Sequence, residues 1–112
     1  MRYRFSELDG QTLIIDIEDG DTGDLVDLLN SRGHGFAVYG EDVSIPFAVI
    51  DTRLLNKEGF TTDHLLAVEA HELGHIHQLS DDEVIAESTG IELLARLGEE
   101  GAAALLRSRG IV

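Results

Sequence analysis

Residues 62–78 read Thr-Asp-His-Leu-Leu-Ala-Val-Glu-Ala-His-Glu-Leu-Gly-His-Ile-His-Gln, and this stretch predicts the central helix of the fold. Thr61 or Thr62 offers an N-cap, Asp63 suits the first turn, and no proline interrupts the segment. An apolar stripe at helical spacing is formed by Leu66, Ala70, Leu73 and Ile76. We therefore expect one long helix over residues 62–78 that covers a core with this stripe.

Within that helix, residues 71–75 read His-Glu-Leu-Gly-His. Histidines four apart lie on one helix face, about 5–6 Å apart at Cβ, so His71 and His75 can converge on one ion. Glu72 is offset from His71 by about 100° around the axis, which keeps its carboxylate off the metal but near a metal-bound water. Two nitrogen ligands, a general base and an open coordination position are what a zinc hydrolase requires.

A second helix is predicted directly after the first. Residues 80–83 read Ser-Asp-Asp-Glu, a capping-box pattern, and an apolar-periodic stretch follows through Leu97. Because the connection is very short, this second helix should fold back on the first.

A zinc site needs a third protein ligand, and the second helix offers it. Glu83 and Glu87 are four apart, share a helix face, and could both approach the metal. Glu83 could instead reach back to the amide of Ser80 as the last member of a capping box. Asp81 is a further candidate if the chain reverses sharply after the first helix.

The two helices resemble those of gluzincin-type zincin metallopeptidases, in particular minimal ImmA/IrrE-like or minigluzincin-like ones. In that family His-Glu-x-x-His precedes a helix with Glu-x-x-(Ala/Ser)-(Asp/Asn)-x-x-(Gly/Ala), and residues 83–90 here read Glu-Val-Ile-Ala-Glu-Ser-Thr-Gly. The resemblance covers roughly residues 45–97. It implies that Glu83 is the third zinc ligand and that Glu87 orients His71, and Glu87 remains the alternative ligand because the spacing from His75 to Glu83 is shorter than usual.

The chain departs from the family pattern at three places. Glu69 and His77 stand where the zinc helix usually has an uncharged and an apolar residue. No His or Tyr follows His77, so the electrophilic side chain that many such enzymes place downstream must come from elsewhere. The candidates for it are Tyr39, His34, His64 or an arginine.

These features predict a small zinc metallopeptidase, an endopeptidase rather than an exopeptidase, that acts on a peptide or protein substrate. Glu72 would deprotonate a metal-activated water and pass the proton to the leaving amine. The alternative is a zinc-stabilised regulatory or binding module with a zincin fold and little or no turnover. The small size and the missing downstream His or Tyr favour that alternative.

Composition limits the partners. The chain has 22 acidic and 8 basic residues, a formal net charge of −14, which repels nucleic acids and anionic membranes. It has no cysteine, so a metal site must use nitrogen and oxygen ligands. No signal peptide or membrane-spanning run is apparent, so we expect a cytoplasmic protein. The oligomeric state does not follow from the sequence.

The predicted fold is a single α+β domain over residues 1–112, with a short mixed or antiparallel sheet packed on the zinc-binding helix and a C-terminal helical part. Strands are expected at 2–8, 12–17, 35–39 and 44–51, and helices at 21–29 and about 99–108, the last ending at Gly110 beside Arg107 and Arg109. Pro46 favours an edge position for strand 44–51. An edge strand there would form the rim on which a substrate main chain binds.

Overall fold

Residues 1–108 are described by the structure, a computed structural model, as four strands and four helices. The strands are β1 (Arg2–Phe5), β2 (Leu13–Ile17), β3 (Gly35–Val38) and β4 (Phe47–Asp51). The helices are α1 (Asp24–Arg32), α2 (Thr62–Gln78), α3 (Glu83–Arg96) and α4 (Glu100–Arg107), and a 3₁₀ turn, Thr52–Asn56, follows β4. The predicted α+β class is confirmed. The predicted helix end at Gly110, with Arg109, lies outside the described residues.

The four strands form one mixed sheet in the order β1-β2-β4-β3. β1 and β2 are antiparallel, β2 and β4 are parallel, and β4 and β3 are antiparallel. The predicted edge position of strand 44–51 is therefore wrong, since β4 lies between two partners and β3 is the edge strand on that side. Pro46 precedes the first residue of β4, so its missing N–H removes no hydrogen bond from the ladder.

Helices cover both faces of the sheet because successive strand residues point to opposite sides. On one face α2 packs in a core that includes Ile14, Ala48 and Ile50. On the other face α1 packs on Ile15, Ile17 and Val49 through two of its own residues, Val26 and Leu29. None of the helices within residues 1–108 combines the length and apolar character that crossing a membrane requires.

α1 begins later than predicted. Asp21 does not cap it, because its carboxylate accepts hydrogen bonds from the amino terminus of Met1 and the amide of Glu18, at 2.8 Å each. Gly23 occupies the N-cap position, and the helix runs on to Arg32 before Gly33 ends it. The turn before α1 thus ties the chain terminus to the end of β2.

α2 and α3 approach so closely that their backbones touch. A Cβ added at Gly74 would lie 2.8 Å from the carbonyl carbon and 2.9 Å from the Cα of Ala86. A Cβ added at Gly90 would lie 2.8 Å from the carbonyl oxygen of Ala70. Glycine at both positions is therefore what allows the two helices to pack at this distance.

A buried polar cluster anchors α2 to the first two strands. Glu69 is 4% exposed and accepts hydrogen bonds from Arg4 and from the hydroxyl of Ser6, each at 2.5 Å. Arg4 also pairs with Asp16 at 2.8 Å, and its pKa is raised well above the usual range because the two hydrogen-bonded carboxylates outweigh the opposing effect of burial. The charged residue that departs from the family pattern at position 69 is thus paired inside the fold.

His77, the second departure, also has a structural partner. Its Nε2 lies 2.7 Å from the carboxylate of Asp9, which in turn accepts hydrogen bonds from the amides of Gln11 and Thr12. These contacts tie the end of α2 to the turn between β1 and β2. Both Glu69 and His77 therefore serve to fix the position of α2.

We predict that Gly74→Ala lowers the stability of the protein. Alanine would normally gain about 1 kcal/mol over glycine inside a helix, but here its Cβ would overlap the backbone of α3, and such overpacking typically costs about 1–3 kcal/mol. Ser88→Ala, at an exposed position of α3, is the control and should leave the melting temperature nearly unchanged. Chemical denaturation that found Gly74→Ala as stable as the parent would show that the helices can separate freely.

Candidate metal centre

Three side chains from the two touching helices converge at one point. His71 Nε2 lies 3.0 Å from one carboxylate oxygen of Glu83, and His75 Nε2 lies 2.9 Å from the other. One potential ligand atom from each residue falls within 4.8 Å of the other two. Both histidines are buried, whereas the side chain of Glu83 is 69% exposed, so the group is open to solvent on the α3 side.

The first turn of α3 places Glu83 beside the two histidines. Asp82 is the N-cap, and its side chain accepts hydrogen bonds from the amides of Val84 and Ile85 at 2.8 and 3.1 Å. The expected capping box from Ser80 to Glu83 is therefore wrong, since Glu83 is the first helical residue and has no capping contact to make. The reversal before α3 occurs at Leu79, which adopts the left-handed conformation with φ of 49°.

The ring of His75 is oriented by the chain just beyond its own helix. Its Nδ1 lies 2.7 Å from the carbonyl oxygen of Ser80. A carbonyl only accepts hydrogen bonds, so Nδ1 must carry the proton, and in the neutral ring Nε2 then offers its lone pair toward Glu83. Such a contact is the usual way in which a metal-binding histidine is fixed in one tautomer.

The ring of His71 has no equivalent contact. Its Nδ1 is buried and has no hydrogen-bond partner within residues 1–108. Burial lowers the pKa of His71, and the charges of Glu83 and Glu87 act against that effect. Glu87 is therefore close enough to influence His71 electrostatically, but the hydrogen bond to Nδ1 that the family resemblance implies is not formed, and Glu87 does not belong to the converging group.

The converging group fits a zinc ion by its donors and by its geometry. Two imidazole nitrogens and one carboxylate oxygen are a common catalytic zinc set, with bonds of about 2.0–2.2 Å. Ligand atoms around one tetrahedral ion lie roughly 3.4 Å apart, and the potential ligand atoms of His71, His75 and Glu83 already lie within 4.8 Å of one another. The oriented ring of His75 and the accessible carboxylate of Glu83 meet these requirements, and the three residues are those that would hold the metal.

Glu72 lies beside the group and not within it. Its side chain lines the same groove as the histidines and is largely buried, at 7% exposure. Burial raises the pKa of Glu72 to about 7, and the nearby charge of His75 opposes this effect. A carboxyl group with such a pKa can both accept and return a proton near neutral pH.

The group lies on the wall of an open groove of about 560 Å³. The groove lining comes partly from residues 32–37 and Tyr39, which include most of the edge strand β3, and partly from α2, Asp81 and Glu83. The substrate rim expected at 44–51 is therefore misplaced, because the exposed edge beside the histidines belongs to β3. The sequence could not distinguish the two strands, since both are short and apolar.

Tyr39 lines the groove next to His75. Its ring lies nearly parallel to that of His75, with 6.4 Å between the centroids, and its hydroxyl contacts the carboxylate of Asp81. Burial and this contact raise the pKa of Tyr39 to about 12, so the phenol keeps its proton. Asp81, considered as a ligand from the sequence, is thus held by Tyr39 and lies outside the converging group.

Of the other candidates for the electrophilic side chain, His34 and Arg32 also line the groove. His64 does not, because it belongs to the first turn of α2, where its Nδ1 accepts a hydrogen bond from the amide of Thr61 at 3.0 Å. Sequence reasoning missed both the pairing of Tyr39 with Asp81 and the position of Arg32. Each depends on contacts between segments distant in the sequence, for which a single sequence carries no signal.

Comparison with known proteins adds no relative to this description. No protein-family model matches the chain, and neither a curated protein nor a solved structure matches it significantly. The chemistry of the site must therefore be judged from its own residues.

We predict that the purified protein binds one zinc ion per chain and melts at a lower temperature after chelation, because a ligand that binds only the folded state adds to its stability. Elemental analysis and thermal melting with and without chelator measure this. His71→Ala should abolish binding, whereas His64→Ala, a histidine of the same helix outside the group, should retain it. Zinc-free protein whose melting temperature is unaffected by added zinc would rule out the metal site.

The third ligand is tested by two matched substitutions on α3. Glu83→Ala removes a carboxylate of the converging group and should weaken zinc binding by more than the roughly 10- to 100-fold loss typical of residues that only support a ligand. Glu87→Ala should stay within that range. Zinc dissociation constants from competition with a chromophoric chelator measure both, and the reverse order would assign the ligand to Glu87.

Proposed function

We propose that this protein is a small zinc-dependent metallopeptidase of the gluzincin type. The observation that carries the proposal is the convergence of His71, His75 and Glu83 beside a buried Glu72, in a groove bordered by an open strand edge. The ligands alone would fit a structural zinc site, but a structural site is normally closed by a fourth protein ligand. Here no fourth side chain within residues 1–108 joins the converging group, and Glu72 lines the same groove as its three members.

Glu72 is the general base and acid of the proposed reaction. A zinc ion held at this site would supply Lewis acidity to the attacking water and to the scissile carbonyl. The carboxylate of Glu72 takes a proton from the water as it attacks and delivers that proton to the nitrogen of the leaving amine. Burial raises the pKa of Glu72 to about 7, a value suited to accepting and returning a proton near neutral pH.

The remaining groove residues position the substrate. An extended peptide can add to the free edge of β3 through main-chain hydrogen bonds, the usual mode by which sheet edges bind peptides. Tyr39, at the end of that strand and stacked beside His75, holds a protonated hydroxyl close to the metal ligands. Once this hydroxyl leaves the carboxylate of Asp81, it can donate a hydrogen bond to the carbonyl oxygen of a bound peptide.

The contact between Tyr39 and Asp81 also favours the second candidate, a zinc-stabilised regulatory or binding module. While the hydroxyl is bound to Asp81, it is not free to stabilise developing charge on a substrate. If the contact between Tyr39 and Asp81 persisted when a peptide was bound, the protein would bind zinc and peptide but would hydrolyse the peptide slowly or not at all.

The role of Glu72 separates the two candidates. In a peptidase, Glu72→Gln should retain one zinc per chain and lose hydrolysis by at least 100-fold, since general acid–base catalysis contributes about 10²–10⁴-fold. Cleavage of a diverse peptide mixture, followed by mass spectrometry, measures activity, and elemental analysis measures zinc. Loss of zinc by Glu72→Gln would instead make Glu72 a ligand, and a zinc-loaded parent that cleaves nothing would favour the binding module.

A further inference from the structure

The groove has one permanent positive charge. Within the described part of the chain, Arg32 is the only Lys or Arg among the residues that line it, whereas Glu72, Asp81 and Glu83 are acidic. The protein as a whole has 22 acidic residues and only 8 basic ones. A peptide in the groove therefore meets a mostly negative surface with a single cationic position.

Arg32 is held at the open edge of β3. It is the last residue of α1, and Gly33, with φ of 120°, turns the chain from the helix into the strand. Its guanidinium carbon lies 5.9 Å from the centroid of the Phe36 ring, within the range of a cation–π contact. Phe36 belongs to the core on the α1 side of the sheet, while the histidines lie on the α2 side. Phe36 nevertheless also lines the groove, so this contact places the guanidinium of Arg32 at the groove surface beside β3.

Arg32 has no anionic partner among residues 1–108. Three other arginines form salt bridges with carboxylates, namely Arg4, Arg53 and Arg96. The guanidinium of Arg32 makes no such pair, although it is close enough to Glu72 for its charge to oppose part of the rise in pKa that burial causes there. It thus offers its hydrogen-bond donors to a ligand in the groove, near the proposed catalytic carboxylate.

We propose that Arg32 is a subsite for a carboxylate of the peptide substrate, either the C-terminal carboxylate or the side chain of Asp or Glu. The proposal rests on the peptidase function given above. A guanidinium binds a carboxylate through two parallel hydrogen bonds, which fixes its position as well as its charge. Among the described side chains that line the groove, Arg32 is the only Lys or Arg that can pair with this carboxylate, and Arg32→Gln distinguishes binding there from binding to a zinc ion held by His71, His75 and Glu83. The subsite therefore sets the register of the peptide relative to the metal centre.

Three matched sets of synthetic hexapeptides with otherwise randomised sequences test the proposal. The first set has a free C-terminal carboxylate and no Asp or Glu, the second has an amidated C-terminus and contains Asp or Glu, and the third is amidated with Asn or Gln instead. Binding is measured by affinity selection and mass spectrometry on zinc-loaded Glu72→Gln protein, which should hold peptides without cleaving them. Cleavage is measured on the zinc-loaded parent.

We expect the first or the second set to bind better than the third, and the preferred set identifies the source of the carboxylate. Adding Arg32→Gln should reduce binding of the preferred set about 10- to 100-fold, the usual effect of losing hydrogen bonds to a charged group, and should leave the third set unchanged. Arg32→Lys, which keeps the charge without the planar fork, should lie between. Arg107→Gln is the control, since it removes the same charge from an exposed position on α4 that does not line the groove.

Equal binding of the three sets, no binding of any set, or unchanged selection in Arg32→Gln would each overturn the subsite. The peptidase proposal is judged separately by cleavage. If the preferred set binds through Arg32 but the parent cleaves none of it, the subsite stands and the peptidase falls. If the parent cleaves all sets alike and Arg32→Gln changes nothing, the peptidase stands and the subsite falls. Thermal melting and zinc content should be unaffected by Arg32→Gln, because its side chain is exposed and outside the converging group.

Discussion

The close backbone contact between α2 and α3 determines the geometry of the candidate site. Gly74 meets Ala86, and Gly90 meets Ala70, so neither helix places a side chain larger than a methyl group between the two backbones. A glycine inside a helix costs about 1 kcal/mol relative to alanine, and the packing of α2 against α3 must offset this cost twice. The close packing brings the first turn of α3 beside the histidines of α2, so that Glu83 can reach both of them.

The rotation of α2 about its own axis is fixed from the opposite side. Residues two apart on a helix differ by about 200°, so Glu69 points away from His71, and His77 points away from His75. Glu69 is bound by Arg4 and Ser6, and His77 by Asp9. Glu69 is 4% exposed, and removing one partner of a buried ion pair typically costs about 3–5 kcal/mol, so its contact with Arg4 opposes any rotation that would turn the histidines out of the groove.

Features that depend on residues close together in the sequence could be predicted, whereas features that depend on contacts between distant segments could not. Helical periodicity and the spacing of His71 and His75 lie within one segment, and they correctly placed α2, α3 and the two histidines on one face. The sheet order depends on which strand pairs with which, and Pro46 gave the wrong edge because it lies just outside β4. The N-cap of α3 is Asp82 and not Ser80, as the capping-box pattern had suggested. Ser and Asp are both common N-cap residues, so the local sequence does not distinguish two positions this close together. The wall formed by Arg32 and Tyr39 arises only when β3 is placed beside α2.

The carboxylate of Glu83 is already held where a metal would need it. Contacts of 3.0 and 2.9 Å with His71 and His75 hold both of its oxygens, so little conformational freedom remains to be lost when a cation binds. The net charge of −14 further attracts cations to the protein surface. The acidic composition and the positioned carboxylate therefore both favour metal binding, and the same acidity leaves Arg32 as the only Lys or Arg among the described residues that line the groove.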